Sequence, residues 1–229
     1  MTLHQLPLAS KDKVIIVGAG IGGLASSVRL SHLGYQVSVF EKASKAGGKL
    51  RTTNGSTGDI DIGPTVLTLL PIFKKLFKSV GEDIFEHIEL VRQKIIARHW
   101  WPDGASLDLY DNFEASRDAI LSFSGSNSAQ EFEKYFFDTQ DLFSCFEIPV
   151  MQNPKPSLSD MNWAVLSKPR ILTKIHPHRS LSSSLKYKFS DYRLQQLFAR
   201  YATYVGGSPL ESPALLSLIW QAEARGVWS

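Results

Sequence analysis

The stretch Val14-Ile15-Ile16-Val17-Gly18-Ala19-Gly20-Ile21-Gly22-Gly23 decides the fold. Four β-branched apolar residues in a row suit a strand buried on both faces, as in a parallel sheet. The glycines follow at once, with Gly18, Gly20 and Gly23 in G-x-G-x-x-G spacing. The pattern predicts a helix from about Ile21 to Leu33, and Gly34 sits where a left-handed cap would end it. Val37-Ser38-Val39-Phe40 reads as a second strand, closed by Glu41. The sum is one β-α-β unit with a glycine turn.

Each glycine has a physical task in such a turn. Gly18 permits the tight reversal, Gly20 lets a pyrophosphate approach the backbone, and Gly23 lets the helix pack close to the strand. Gly22 adds a further small position at the helix start, where free N–H groups favour an anion. Glu41 lies 21 residues beyond Gly20, near the offset expected for an acid that binds a ribose hydroxyl. A glycine turn followed by a solvated glutamate would be the bland alternative. The full order of strand, turn, helix, strand and acid weighs against it. Glu41 would repel a 2′-phosphate, which leaves FAD or NAD. A second glycine pair, Gly47-Gly48, with Lys49 and Arg51 behind it, favours a flavin dinucleotide. It can bring a second backbone segment and a cation to the cofactor. Isolated surface cations are the competing reading of Lys49 and Arg51.

Outward from this unit, Asp59 to Ile62 reads as a short strand, and Gly63-Pro64 breaks it. A helix is predicted over 67–80, with Pro71 in a starting position. Residues 94–101 and 106–110 form a hairpin around Pro102-Asp103-Gly104. Asn112 caps a helix reaching about Phe123, a break surrounds Gly125, and Ser128 with Glu131 forms a capping box for a helix towards Phe146. Residues 149–177 read as mostly loop with short helices. A helix follows over about 190–205, and Pro209 or Pro213 starts another through Trp220. The chain is expected to be α/β: an incomplete Rossmann-like cofactor domain over 1–92, then an α+β domain over 93–229 with a hairpin and helices. The last helix is expected to return to the cofactor domain.

The composition is globular, with 43% hydrophobic and 21% charged residues among 229. The lone cysteine, Cys145, argues against a disulfide scaffold or a cysteine metal cluster. A net charge of +3 is too small to argue for nucleic acid. No stacking motif accompanies the charge either. The first residues do not read as a signal peptide, and no run of 18 apolar residues suggests a membrane span. A cytoplasmic chain is expected, and peripheral membrane contact stays open. The stretch 161–190 contains no acid and interleaves Lys168, Arg170, Lys174, Arg179, Lys186 and Lys188 with apolar residues. Such a surface can sit on anionic lipid. A solvated cationic loop is the alternative.

The span GAGIGGLASSVRLSHLGYQVSVFEKASKAGGKLRT, with its G-x-G-x-x-G, terminal Glu and GG-[RK]-x-x-[ST] pattern, resembles the flavin-containing amine oxidase and phytoene desaturase superfamily. The segments GDIDIGPTVLTLLPIF, ARHWWPDGASLDLY and YATYVGGSPLESPALLSLIWQAEARGVW look like bacterial carotenoid desaturases. They look most like the branch acting on hydroxylated or methoxylated neurosporene, the 1-hydroxycarotenoid 3,4-desaturases. The resemblance implies an FAD enzyme that removes two hydrogens from a carotenoid. The flavin N5 would take a hydride from an allylic carbon, while the polyene delocalises the developing cation. Gly18, Gly20 and Gly23 would hold the pyrophosphate, Glu41 the adenosine ribose, and Lys42 would lie beside it. Gly48 and Lys49 would approach from the second turn, and Gly63, Pro64, Thr65 and Val66 would lie near the isoalloxazine. The resemblance names no catalytic base, and His99 in its aromatic strand reads as a packed residue rather than one. It also implies a longer chain, because a flavin-binding sheet needs more parallel strands than one β-α-β unit provides. The N-terminal part of an enzyme, peripheral on the inner face of the cell membrane, is the reading that results. Another flavin oxidase of the superfamily and a non-catalytic dinucleotide-binding module remain as alternatives.

Overall fold

The computed structural model describes residues 12–229. They fall into two units: one runs to Val91 and takes in Trp228–Ser229, and the other spans Arg92–Val227.

The first unit opens with β1 (Lys13–Val17), α1 (Ile21–His32) and β2 (Gln36–Phe40). The two strands pair in parallel, Val14 opposite Val37 and Val17 opposite Phe40. Gly34 has φ 90° and donates its amide to the Ser31 carbonyl at 2.9 Å, closing the helix as a glycine cap should. The expectation of a strand buried on both faces is corrected. Ile15 is 66% exposed and Val17 87% exposed. The reason is topological: among the described residues β1 and β2 make a two-stranded sheet, so the face carrying Ile15 and Val17 lacks the neighbours that a wider sheet and its helices would bring, while Val14 and Ile16 on the other face are half-buried. The sequence reading found the strand at 59–62 but not its partner. β3 (Thr52–Gly55) and β4 (Gly58–Asp61) form an antiparallel hairpin. The helix expected over 67–80 is shorter, α2 (Leu70–Lys78), with Pro71 in its first turn where no intrahelical amide is lost.

The second unit begins with the predicted hairpin, β5 (Ile95–Trp100) and β6 (Ser106–Tyr110), paired antiparallel. It leads into α3 (Phe113–Phe146), whose N-cap Asn112 accepts from the Ala115 amide at 2.9 Å. Gly125 breaks that helix with φ 85° and ψ 177°, as the small-residue break predicted. Glu131 does not serve the expected capping box. Its carboxylate accepts instead from the Ser190 amide at 3.0 Å and from Asn127 Nδ2 at 2.9 Å. The stretch after 149, expected as mostly loop with short helices, carries two of them, α4 (Leu158–Leu166) and α5 (Leu172–Ile175). A capping box of Ser157 and Asp160 starts the first. Further on come α6 (Leu181–Lys188), which the sequence reading did not see, and α7 (Tyr192–Ala199), shorter than expected. α7 gives way to a 3₁₀ segment that Gly206 ends in left-handed geometry. Another 3₁₀ segment, starting after Pro213, precedes α8 (Trp220–Ala224). α8 stays in the second unit. The residues that pair with the first unit's Leu67 and Val91 are Trp228 and Ser229, beyond the helix.

The hydrophobic core sits in the second unit. Phe132, Tyr135, Leu181, Leu197, Phe198 and Trp220 pack into one buried cluster with the inner residues of β6. Ring centroids of Tyr135 and Phe198 are 4.5 Å apart, and those of Phe189 and Phe198 are 5.1 Å apart. The polar handles are satisfied: Trp220 Nε1 donates to Thr139 Oγ1 at 2.7 Å, and Gln221 Nε2 to the same oxygen at 2.9 Å. Among the described residues of the first unit, only Ala19, Leu70 and Ile84 are buried apolar side chains.

Asp191 caps α7 and lies against Arg193, whose Nη2 donates to it at 2.7 Å, and against Ser124. The Arg193 guanidinium, more than any other contact, holds its carboxyl down to about 2. A carboxyl depressed in the fold stabilises it above the ordinary carboxylate value and loses that contribution as pH falls through the folded value. Asp191→Asn is therefore expected to cost about 2 kcal/mol near neutral pH, with the gap to the wild type closing in strong acid. Urea titrations of both proteins across that range check it, and a gap independent of pH would refute it.

Candidate functional site

Two glycine turns meet in the first unit. The Gly47 amide donates to the Ala19 carbonyl at 2.8 Å, and Gly20 and Gly47 form a parallel bridge. The contact joins the end of β1 to the segment after β2. Gly18 adopts φ 99° and donates its amide to the Phe40 carbonyl at 2.7 Å. A Cβ on Gly23 would lie 2.0 Å from the Gly18 carbonyl oxygen, so the start of α1 presses directly on the loop. Gly48 adopts φ 63°, and a Cβ there would stand 3.0 Å from Gly20 Cα.

Gly20 and Gly22 differ from these. Gly20 has φ −76°, open to any residue, and the nearest atom to an added Cβ is 3.9 Å away. An added Cβ on Gly22 meets nothing within 4 Å. Gly20 lines a cavity of about 1020 Å³ that also takes in Gly18, Glu41, Lys42, Gly48 and Arg51. No neighbour among the described residues requires glycine at position 20; the open cavity beside it does, if a ligand is to reach the backbone. Gly20 is also the N-cap of α1, so no side chain takes up the first amides of the helix. This is a cradle that suits the pyrophosphate of a dinucleotide.

Glu41 closes the cradle. Its Oε2 accepts from the Ala19 amide at 2.8 Å and its Oε1 from the Ala43 amide at 2.9 Å. The Ala43 amide, followed by the Ala19 amide, holds this carboxyl below its usual range, so it is ionised at neutral pH. It thus ties the glycine loop to the turn after β2 while facing the cavity.

The other predicted residues divide. Pro64 lines the cavity. Gly63 packs on the second glycine turn so closely that a Cβ would sit 1.9 Å from the Lys49 carbonyl oxygen. Thr65 and Val66 are exposed and lie outside the cavity lining, as does the Lys49 side chain. Lys45, Asn54 and Asp61 line the cavity and were not predicted. Lys45 sits in the same turn as Lys42, a signal the sequence did carry. Asn54 and Asp61 arrive through the unrecognised hairpin of β3 and β4. In the second unit, His99 stacks near Trp101 at 6.2 Å, its Nδ1 is buried, and burial pushes its pKa down.

The glycine-loop cradle belongs to a Rossmann-like domain at the N-terminal end of a mixed α/β chain, and residues 16–81 match the NAD(P)-binding Rossmann-like domain family. Beyond that domain the chain is similar over nearly its whole length to hydroxyneurosporene desaturases, which shows the resemblance read from the sequence. It is 42% identical over 217 residues to the enzyme of Cereibacter sphaeroides, covering 95% of this chain and 44% of the relative. It is 41% identical over 222 residues to that of Rhodobacter capsulatus, covering 97% and 45%. The chain thus spans under half the length of these relatives. Among solved structures, putrescine oxidase bound to putrescine shares the fold, with a TM-score of 0.56 at 15% identity, covering 93% of this chain and 41% of that one. Among the described residues no helix is long and apolar enough to cross a membrane.

Proposed function

We propose that the chain forms the FAD-binding part, and an adjoining substrate-facing part, of a carotenoid desaturase acting on hydroxylated or methoxylated neurosporene. The observation that carries it is the joint geometry of the two glycine turns and Glu41 around one cavity, in a chain so similar to hydroxyneurosporene desaturases. In this reading the Gly18–Gly23 loop and the amides opening α1 bind the pyrophosphate, and Glu41 binds the adenosine ribose. Lys42, Lys45 and Arg51 offset the phosphate charge. The second turn at Gly48, with Lys49 behind it, and the segment Gly63–Val66 border the path towards the isoalloxazine. FAD, when bound, supplies the hydride acceptor for removing two hydrogens from the polyene. The second unit, with its hairpin and helices, belongs to the substrate domain. A carotenoid dissolves in the bilayer, so the protein works peripherally on the inner face of the cell membrane.

The test is a chimera in which residues 1–229 replace the corresponding part of the Cereibacter sphaeroides desaturase. Fed hydroxyneurosporene, it is expected to yield a product absorbing at longer wavelength, as one more conjugated double bond requires. Bound flavin with turnover of an amine instead would move the reading to another oxidase. Bound nucleotide with no turnover of either would leave a binding module. The 229-residue chain by itself is expected to hold FAD weakly, since its sheet has two strands and its cavity is open. Glu41→Ala is expected to weaken FAD binding by at least about tenfold, measured by flavin fluorescence. An unchanged affinity would remove Glu41 from the cofactor site.

A further inference from the structure

The helix α4 presents apolar residues to the wrong side. At about 100° per residue, Leu158, Asn162, Leu166, Ser159 and Trp163 share an outward arc of roughly 140°. Leu158 is 79% exposed, Trp163 73% and Leu166 72%. The inward side is held by Ala164, whose carbonyl accepts from Cys145 Sγ at 3.4 Å on α3. A soluble helix has the reverse pattern, polar residues outward and apolar residues inward. The segments flanking α4 in sequence continue the exposure with Ile148 and Met151 before it and Leu172 at the start of α5 after it.

The charges around this arc are of one sign in effect. Lys155, Lys168 and Arg170 are exposed. The only acid from 148 to 172 is Asp160, whose Oδ2 is taken up by the Ser157 amide at 2.9 Å, the Ser157 hydroxyl at 2.7 Å and Asn153 Nδ2 at 3.3 Å. The rest of the basic stretch is otherwise engaged. Lys174 pairs with Asp138 at 2.9 Å and Asp141 at 2.7 Å, and Lys188 pairs with Asp138 at 3.3 Å. Arg179 lies over the Tyr187 ring at 4.7 Å. Leu181 and Leu185 are in the core. The acid-free sequence 161–190 is therefore two surfaces of different kind.

We infer that the outward arc of α4, with its flanking segments, is a face that inserts into the headgroup region of an anionic lipid bilayer. Leu158, Trp163 and Leu166 enter the acyl boundary, while Lys155, Lys168 and Arg170 stay at the level of the lipid phosphates. An exposed tryptophan among aliphatic side chains with a cationic rim is the chemistry of such an interface. The charge sign selects anionic lipid over a neutral surface. The inference deepens the proposed function, since it names where a bilayer-dissolved substrate would be met.

Vesicle sedimentation of the 229-residue chain tests it, using phosphatidylcholine with and without phosphatidylglycerol. Binding is expected to the anionic vesicles only and to weaken as salt rises. The double variant Trp163→Ser with Leu166→Ser should lose about tenfold or more in partitioning. Both side chains are exposed, so its urea midpoint should match the wild type. Lys186→Ser, outside the arc, should bind as the wild type does. Absence of binding, equal binding to both lipids, or a double variant that binds normally would each overturn the inference. So would a double variant that loses self-association in the centrifuge rather than lipid binding, since the face would then belong to a second copy. A chain that retains flavin but ignores vesicles sinks this face alone. One that binds vesicles but never flavin sinks the cofactor reading and leaves the face standing.

Discussion

Gly23→Ala is expected to weaken nucleotide binding and loosen the β-α-β unit, while Gly22→Ala, one residue away, is expected to leave both intact. The two substitutions add the same methyl group to the same helical turn. At Gly23 the new Cβ would fall 2.0 Å from the Gly18 carbonyl oxygen and 3.4 Å from Ile16 Cγ2. The carbonyl belongs to the backbone and cannot yield without moving the start of α1 away from the loop, whereas the Ile16 contact is an ordinary one. At Gly22 the methyl meets open space. Forced overpacking costs about 1–3 kcal/mol, which in affinity is roughly 5- to 150-fold. Alanine at Gly22 should instead favour the helix by a few tenths to about 1 kcal/mol. FAD titration by fluorescence, with urea unfolding of each variant, measures both. If Gly22→Ala were the more damaging, the ligand would be approaching from the face of α1 that carries Gly22, and the cradle described above would be misplaced.

The second large effect lies in the other unit. Glu223→Leu should cost about 2–4 kcal/mol of stability, because it strips the half-buried Arg200 guanidinium of its counter-ion. Glu223 is buried on α8 and accepts from the Tyr201 hydroxyl at 2.8 Å, as well as from Arg200 and the Tyr204 hydroxyl. The Arg200 guanidinium also stacks on the Tyr201 ring, with Cζ 4.4 Å from its centroid, and its Nε is already without a hydrogen-bond partner. Remove the carboxylate and nothing replaces it. The double variant Arg200→Met with Glu223→Leu should recover most of the loss, since two apolar groups leave no charge stranded. Urea unfolding of the three variants forms the cycle. A single variant that loses less than about 1 kcal/mol would mean that Arg200 swings to water through its exposed flank.

Local chemistry was readable without coordinates. The run of β-branched residues, the glycine spacing and Glu41 at the end of β2 all act over a few residues, and each lies where the pattern put it. The hairpin at β5 and β6 and the Asn112 cap were legible for the same reason. The β3–β4 hairpin was not, because Thr52 to Gly55 has no apolar alternation to mark a strand. α6 was hidden because its serines suit a loop as well as a helix, and only burial of Leu181 and Leu185 settles the matter. The assumed burial of β1 failed for a different reason. An apolar run states what a strand prefers to touch, and it cannot say whether a neighbouring strand lies there to be touched.

From residue order alone come the β-α-β unit, the acid that answers its glycine loop and the resemblance to carotenoid desaturases, since spacing and backbone freedom are properties of short segments. The fold in three dimensions decided what spacing does not encode: that Gly47 clasps Ala19, that Lys45 and Arg51 face the cavity while Lys49 does not, and that Lys174 and Lys188 both pair with Asp138. These are contacts between residues far apart in sequence. Their strength depends on distance and solvent exposure, which only packing sets.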